Sequence, residues 1–272
     1  MEREPALPAW SVTTHPAQWR GAWRSAERDV PAENAIALTY NRVTHAVMMG
    51  SPADLQDFAV GFSLSEDVVR APADIEDCAV VPVENGTELR MWIAPALMAR
   101  LEQRRRRLAG ATGCGMCGLE SLQEALRPVP GVGNGPSLGV ADVMAAAASL
   151  APAQKLGAAT RAVHAAGFWT RADGLVALRE DVGRHNALDK LYGALARDGI
   201  EAGTGALVLT SRISIELVQK AARMGAGILI AVSAPTALAL SAAEQCGMTL
   251  IGVARQDGFE VFTHPQRIDH HP

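Results

Sequence analysis

Alternating apolar and polar residues predict two hairpins in the first third of the chain. The segments AIALTY and VTHAVMM flank Asn41-Arg42, and the segments CAVVPV and ELRMWI flank a turn that contains Asn85-Gly86. Short turns with Asn and Gly between alternating segments are typical of β-hairpins. We therefore expect four strands here, paired two by two.

Helical spacing predicts a helix between these hairpins and another after them. Leu55, Phe58 and Phe62 lie on one helical face, and Ser51-Pro52 before them indicates a helix start with Ser51 as N-cap. A second helix is expected from about residue 96 to 108. It ends in four arginines at 104–107, where the helix dipole favours cations.

The second half of the chain alternates strand and helix patterns. ALVLT, SIELVQKAARMG, GILIAVS, TALALSAAEQCG and MTLIGVA follow one another, and such alternation predicts crossover connections and a mostly parallel sheet. The expected fold class is α/β: a C-terminal, mostly parallel sheet with helices on both faces, plus a smaller α+β N-terminal domain. The expected divisions are an arm (1–30), an α+β domain (31–127), a linker (128–139) and a C-terminal domain (140–272).

Composition excludes several classes of protein. The 272 residues include 25 basic and 29 acidic side chains, a net charge of −4, and 49% hydrophobic residues. A globally acidic chain has no field that attracts nucleic acid or anionic lipid, and its apolar half excludes a disordered tail. The start, MEREPALPAW, lacks the apolar stretch of a signal peptide, and the uncharged stretch at 225–243 is interrupted by Gly, Ser and Pro. A cytosolic protein with reduced thiols is expected.

Two of the four cysteines, Cys114 and Cys117, form a C-G-M-C pair in a glycine-rich segment. A structural zinc site needs four ligands, and neither Cys78 nor Cys246 has a second ligand at metal-binding spacing. A thioredoxin-like pair should follow a strand, whereas this pair lies between two predicted helices. A nucleophilic cysteine with a neighbouring thiol fits this exposed setting best. Helix amides stabilise a thiolate, and the arginines at 104–107 add to this if the fold brings them near.

The predicted strand ends carry hydroxyls and arginines suited to an anion. Ser211-Arg212, Ser233 and Arg255 each follow a strand of the C-terminal half. Ligands of parallel sheets bind outside the carboxyl ends of strands, and guanidinium groups suit phosphates. For each serine alone, an N-cap role is an equal alternative. No Walker A loop is present, and no H-x-E glutamate supports deaminase chemistry.

The segment EDVGRHNALDK is dense in polar groups before a predicted helix. Asp181 and Glu180 are candidates to cap that helix or to pair with Arg184, and His185 is a candidate proton donor. A structural role is the more common one for a histidine at a helix start. His164, within VHAAGFW, is expected to be a core histidine.

Taken together, these motifs resemble one family. NRVTHAVMMGSPADLQDFAVGFSLSE, GCGMCGLESL, HAAGF, REDVGRHNALDKLYGAL, SRISIELVQKAARMG, AVSAPTALAL and GVARQDGFEVFTHPQRI occur in the order expected of the FdhD family, the formate dehydrogenase accessory sulfurtransferases. The resemblance covers about residues 33–268. Its most specific segments are REDVGRHNALDK and the C-x-x-C pair.

The resemblance implies a sulfurtransferase that relays a persulfide. Sulfur is taken from a cysteine desulfurase and delivered to molybdenum bis(molybdopterin guanine dinucleotide), the cofactor of formate dehydrogenase. It further implies a cytoplasmic homodimer whose C-terminal region has a cytidine deaminase-like fold. Cys114 is expected to carry the persulfide, with Cys117 as second thiol. The cofactor-binding segment falls on Val253, Ala254, Arg255, Gln256, Asp257 and Gly258, with Ser211, Arg212 and Ser233 nearby, and a guanine nucleotide such as GDP can occupy the site.

Two departures from the family pattern concern the shape of this ligand site. Arg161-Ala162 stands where the family usually has Gly-Gly, and Ser211 stands where it has the glycine of Ser-Gly-Arg. Both place side chains where backbone would otherwise approach a ligand. A chaperone that binds the molybdenum cofactor without transferring sulfur is the alternative function. No metal ligand, nucleic-acid partner or membrane contact is expected.

Overall fold

A computed structural model describes residues 9–110 and 129–269, and the side chains of 105–110 lie outside this description. The C-G-M-C pair therefore lies outside the described residues, as does the predicted helix LESLQEAL. The first half of the chain forms strands β1 (Ser11–Thr14), β2 (Ala17–Trp19), β3 (Trp23–Ser25), β4 (Arg28–Pro31), β5 (Asn34–Tyr40), β6 (Val43–Gly50), β7 (Ile75–Val83) and β8 (Gly86–Ile93), and helices α1 (Leu55–Ser65) and α2 (Pro95–Gly110).

Both predicted hairpins are confirmed. β5 pairs with β6 and β7 with β8 in antiparallel fashion, and β5 joins the two hairpins by pairing with β8 in a sheet of order β6-β5-β8-β7. Asn41 and Arg42 both have positive φ (48° and 71°), the backbone of the tight turn that joins twisted strands. One face of this sheet packs its alternate side chains, Ile36 and Leu38 among them, on Phe58 of α1.

The predicted N-cap role of Ser51 is wrong. Helix α1 begins at Leu55, after Asp54 with a left-handed φ of 53°, and Asp54 makes no capping bond. Ser51 is instead fully buried, where its backbone and hydroxyl bind residues of the second half of the chain. These bonds to distant residues outweigh the local preference of serine for the N-cap position.

The second half forms a six-stranded sheet with helices on both faces. Its elements are β9 (Leu138–Gly139), α3 (Val140–Ala153), α4 (Lys155–Thr160), β10 (His164–Thr170), β11 (Gly174–Asp181), α5 (Arg184–Arg197), β12 (Ala206–Leu209), α6 (Ile215–Arg223), β13 (Ile228–Ala231), α7 (Ala237–Cys246), β14 (Thr249–Arg255), β15 (Gly258–Val261) and β16 (Ile268–Asp269). The side chains of one sheet face pack on α3, and those of the other face pack on α5, α6 and α7.

The sheet is mixed, which corrects the expectation of a mostly parallel one. Its order is β11-β10-β12-β13-β14-β15, and only β12, β13 and β14 pair in parallel. The hairpins β10–β11 and β14–β15 join neighbouring strands by short turns, which requires antiparallel pairing. The alternation of strands and helices predicted the parallel centre correctly.

Residues 129–137, within the predicted linker, contain no helix or strand. Val129 and Val132 pack against the core of the six-stranded sheet, and the Val132 N–H donates to the Cys246 carbonyl at 2.9 Å. The domain boundaries stay a prediction. At the other end of the chain, Arg28 of the arm donates to the Thr160 carbonyl at 3.1 Å, so the arm contacts the second half.

Helices α1 and α5 pack closely enough to require glycine at their crossing. A Cβ atom on Gly61 would overlap the Asp189 carbonyl oxygen, and one on Gly193 would overlap the Asp57 carbonyl oxygen. Next to this crossing, the Asp57 carboxylate pairs with Arg179 at 2.7 Å and also with Arg197. The two halves of the described chain are therefore joined by direct helix contact.

Candidate functional site at the sheet edge

Four strands of the six-stranded sheet end at the same edge. β12, β13 and β14 are mutually parallel, and β11 points the same way because it is antiparallel to β10, which is antiparallel to β12. Ligands of such sheets bind outside the carboxyl ends of the strands. We call this region, with the loops that follow these four strands, the carboxyl edge.

The structure places Ser211, Arg212 and Ser233 on this edge. Loops after β12 and β13 lie side by side, because the Ile213 N–H donates to the Ala234 carbonyl at 3.4 Å. Ser211 is buried, and its hydroxyl donates to the Arg212 carbonyl at 3.1 Å, while the Arg212 side chain is exposed. The hydroxyl of Ser211, at the family's glycine position, is thus used within its own loop.

The predicted segment from Val253 to Gly258 lies beside Ser233 on the same edge. The Val253 N–H donates to the Ser233 carbonyl at 3.3 Å. Pairing with β15 shifts between Gly252 and Arg255, and Val253 at this bulge has φ of 52°, which is strained for a β-branched residue. Such strain often marks functional sites.

Within that segment the side chains divide by exposure. Ala254 is buried, whereas Arg255, Gln256 and Asp257 are exposed at the turn before Gly258. The predicted cofactor-binding residues thus form two neighbouring groups, and Arg212 and Arg255 present cations from two strand ends. Their roles in cofactor binding stay predictions.

Three helices begin at the carboxyl edge, because α5, α6 and α7 directly follow β11, β12 and β13. Of their N-cap residues, Thr236 accepts a bond from the Ala239 N–H at 3.3 Å, whereas Gly183 and Ser214 make no side-chain capping bond. Unsatisfied first-turn N–H groups and aligned peptide dipoles give a helix start positive potential. At the start of α6, the Glu216 carboxylate binds the Ser214 hydroxyl and its own backbone N–H, and these bonds lower its pKa. Positive potential therefore remains at the start of α5.

Arg184, His185 and His164 lie together at this edge, and the sequence did not single out Arg184 as a site residue. Burial, followed by the Arg184 charge, lowers the pKa of His164. Burial, then Arg184 and Lys220, lower the pKa of His185 to about 4, against opposing effects of Glu216 and Glu66. His185 is therefore neutral at pH 7.

The expected pairing of Asp181 with Arg184 is wrong. The Asp181 carboxylate binds the Lys190 ammonium at 2.6 Å, and both side chains are fully buried. It also accepts bonds from the backbone N–H groups of Ser51 (3.0 Å) and Gly183 (2.7 Å). A buried carboxylate needs several such partners, which a single arginine does not supply.

Glu180 does not bind Arg184 either. Its carboxylate accepts bonds from the backbone N–H groups of Leu156 (2.9 Å) and Gly157 (2.7 Å), at the start of α4. The same helix ends at Thr160, and Arg161, which follows it, has a left-handed φ of 56°. The departure from Gly-Gly therefore falls at a position that favours glycine.

A second buried ion pair joins helices α5 and α6 and lies next to α2. Lys220 on α6 binds the Asp189 carboxylate at 2.8 Å and Glu66 at 3.3 Å. Arg104 on α2 in turn donates to the Glu66 carbonyl at 2.8 Å, and α2 is the helix from which the chain enters the C-G-M-C segment. Helix α2 is thus connected through Glu66 to the helix that follows β12.

The two described cysteines are not activated thiols. Burial is the main cause that raises the pKa of both Cys78 and Cys246, so both stay protonated at neutral pH. Among residues 9–110 and 129–269, no group of His, Cys, Asp and Glu is arranged to hold a metal ion. The predicted nucleophile Cys114 and its neighbour Cys117 lie outside the described residues, so their roles stay predictions.

Within the described chain, no helix has the length and hydropathy needed to cross a membrane.

Comparisons with known proteins identify the family. A model of the FdhD/NarQ family matches residues 31–269. Sulfur carrier protein FdhD of Agrobacterium fabrum is 47% identical over 249 residues (91% of this chain, 92% of the relative), and that of Cupriavidus necator is 48% identical over 267 (97% and 92%). In fold, the chain is similar to a crystal structure described as a formate dehydrogenase accessory protein from Desulfotalea psychrophila, with a TM-score of 0.76, 24% identity, and coverage of 96% of this chain and 100% of that chain. The chain belongs to the FdhD/NarQ family.

Proposed function

We propose that this protein is a sulfur carrier that takes persulfide sulfur from a cysteine desulfurase and transfers it to molybdenum bis(molybdopterin guanine dinucleotide) for formate dehydrogenase. One observation carries the proposal: a chain with a C-G-M-C segment folds into a sheet whose carboxyl edge gathers Arg212, Arg255 and the uncapped start of α5. Relatives named as sulfur carriers support the same function. The proposed setting is a cytoplasmic homodimer.

The sulfur step begins with the thiolate of Cys114. It attacks the outer sulfur of the desulfurase persulfide, so that a new S–S bond forms on Cys114 and the desulfurase cysteine leaves as a thiolate. The outer sulfur then passes to the molybdenum cofactor, which is the substrate of the transfer. If Cys117 attacks Cys114, a disulfide forms and the outer sulfur leaves as sulfide, so the two thiols supply the two electrons. If Cys117 only tunes the thiolate, the two electrons that turn the outer sulfur into sulfide come from a reduced molybdenum substrate, and Cys114 leaves as a thiolate.

The carboxyl edge is the proposed site for the nucleotide part of that cofactor. In this proposal Arg212 and Arg255 provide exposed cations, and Ser233 provides a half-buried hydroxyl. Ser211 and the segment from Val253 to Gly258 contribute backbone groups. Dinucleotide phosphates are polyanions, and arginine forks and helix starts are suited to bind them. We propose further that the sheet and its helices are a variant of the cytidine deaminase-like fold, with its site at this edge.

Mass spectrometry of the intact chain and of its peptides tests the sulfur step. After incubation with a cysteine desulfurase and cysteine, we expect about 32 Da of added sulfur on Cys114, lost when the cofactor is supplied. Cys246→Ser is the matched control, because its thiol is buried and should not take part. If Cys114→Ala still restores formate dehydrogenase activity, the relay is wrong and a cofactor-binding chaperone is the better conclusion.

A further inference from the structure

Two tryptophans are exposed on a small hairpin of the arm. Among the described strands, β2 and β3 pair only with each other, and we call residues 17–25 the tryptophan hairpin. Trp19 and Trp23 are cross-strand partners with ring centroids 5.6 Å apart, and they remain 60% and 72% exposed. Neither belongs to a hydrophobic core of the described chain. Contact between the two rings therefore leaves most of their apolar surface in water, and covering that surface is favourable.

The tryptophan hairpin is basic, although the chain as a whole is acidic. Residues 15–25, HPAQWRGAWRS, include Arg20 and Arg24 and no acidic residue, whereas the net charge of the chain is −4. Both arginines are exposed, and Arg24 donates from Nε to the Gln18 side chain at 3.0 Å, which leaves its other N–H groups for a further acceptor. Tryptophan and arginine are among the residues most enriched where binding energy concentrates in protein interfaces. The hairpin thus has the composition of a surface that docks an acidic protein partner.

The fold attaches the tryptophan hairpin beside the carboxyl edge. Arg28, three residues after the end of β3, donates to the Thr160 carbonyl at the end of α4. The chain then enters β10, where the Ala165 N–H donates at 2.9 Å to the hydroxyl of Thr210, the residue directly after β12. Three extended residues span at most about 10 Å, so Ser25 at the end of the hairpin lies near this anchor. The hairpin is therefore held on the side of the molecule where β12 ends.

A protein partner fits this surface better than a second copy of the chain or a lipid bilayer. A two-fold contact between two tryptophan hairpins would bring the same arginines together, and like charges across an interface are unfavourable. Anionic membranes are bound by clusters of about 4–8 cations, whereas the hairpin supplies Arg20 and Arg24 within an acidic chain. Two rings and two flanking cations instead match an apolar pocket with carboxylates at its rim.

We propose that the tryptophan hairpin docks the protein that receives the cofactor, on an acidic surface of that protein with an apolar pocket. This inference rests on the proposed function, in which the receiving protein is formate dehydrogenase and the cofactor leaves from the carboxyl edge. Trp19 and Trp23 enter the pocket, and Arg20 and Arg24 pair with carboxylates at its rim. Docking at this position holds the receiving protein next to the carboxyl edge during transfer.

Surface plasmon resonance with immobilised formate dehydrogenase, prepared without its molybdenum cofactor, tests the docking surface. We expect the double variant Trp19→Ala/Trp23→Ala to bind at least about 30-fold more weakly, a loss typical of a dominant interface residue. Arg20 lies in the turn between β2 and β3, so Arg20→Glu tests the surface without removing either ring. It should slow association by about 10-fold at low salt, with a smaller effect at high salt.

Trp92→Ala is the matched control. Trp92 is a partly exposed tryptophan of the four-stranded sheet, and the Arg42 guanidinium lies over its ring, 5.6 Å from the centroid. It therefore has the same two residue types at a different place, and its loss should leave the affinity for formate dehydrogenase unchanged.

Unchanged affinity of the double variant overturns the proposal, as does an equal loss for Trp92→Ala or failure of the wild-type protein to bind. A loss of affinity for the cysteine desulfurase instead of formate dehydrogenase also overturns it. Two further results would show a different occupant and overturn it too: wild-type binding to phosphatidylglycerol vesicles that the double variant loses, or a change from dimer to monomer in light scattering of that variant. Persulfide formation on Cys114 is measured separately, so failed docking and a failed sulfur carrier give different results.

Discussion

The ion pair between Asp181 and Lys190 gives the sharpest stability prediction. Both side chains are fully buried, their charged atoms are 2.6 Å apart, and Lys190 also donates to the Ser51 carbonyl at 2.9 Å. Lys190→Met leaves the Asp181 carboxylate buried beside backbone and amide donors only. Removing one partner of a buried pair costs about 3–5 kcal/mol, a large part of a typical unfolding free energy of about 5–15 kcal/mol.

Urea unfolding, followed by far-ultraviolet circular dichroism, measures this change from the midpoint at constant m-value. Asp181→Asn and the double variant complete a double-mutant cycle, in which the double variant should cost less than the sum of the single ones by about 1–3 kcal/mol. Lys155→Met is the matched control, since Lys155 is exposed and its loss should change stability by less than about 0.5 kcal/mol. Strictly additive single effects, or a loss below about 1 kcal/mol for Lys190→Met, would refute the reasoning.

Three further predictions concern the helix crossing, a buried histidine and a helix cap. Gly193→Ala should destabilise the protein by about 1–3 kcal/mol although alanine favours helices, because its Cβ overlaps the Asp57 carbonyl; Gly131→Ala, in open space, should not, and equal unfolding midpoints would contradict this. The pKa of His185 is lower in the folded protein (about 4) than in the unfolded chain, so the unfolded chain binds more protons between about pH 6.5 and 4 and stability falls as pH is lowered through that range. His185→Gln should flatten this part of the stability profile in urea titrations at each pH, and an unchanged slope would show that other groups cause it. Thr236→Ala should cost about 1 kcal/mol through the lost bond to the Ala239 N–H, and an unchanged thermal midpoint would argue against that cap.

Local sequence patterns predicted the elements well because their causes are local. Asn41-Arg42 and Asn85-Gly86 have the turn chemistry of hairpins, and the observed strands end at these positions. The alternation from residue 206 onward predicted the parallel centre of the sheet and the edge where Ser211, Ser233 and Val253 meet.

What the sequence did not predict depends on contacts between distant residues. Ser51 and Asp181 are 130 positions apart, and their bond explains why Ser51 is not a cap and why Arg184 lacks a carboxylate. Two further contacts depend on packing in the same way. Glu180 binds backbone N–H groups at the start of α4, and glycines lie at the crossing of α1 and α5. The polar density of EDVGRHNALDK was the available signal for Arg184, but the assignment of partners required the fold.

The placement of the lysines has a practical consequence for chemistry on this protein. Lys190 and Lys220 are buried in ion pairs, and only Lys155 of the three lysines has an exposed side chain. Amine-reactive labels and cross-linkers applied to the folded chain will therefore modify Lys155 in preference to the other two lysines. Lysine cross-links within its complexes will come mainly from α4. Conversely, acylation of Lys190 or Lys220 reports opening of the contact between the two halves of the chain, which gives a chemical readout of local unfolding.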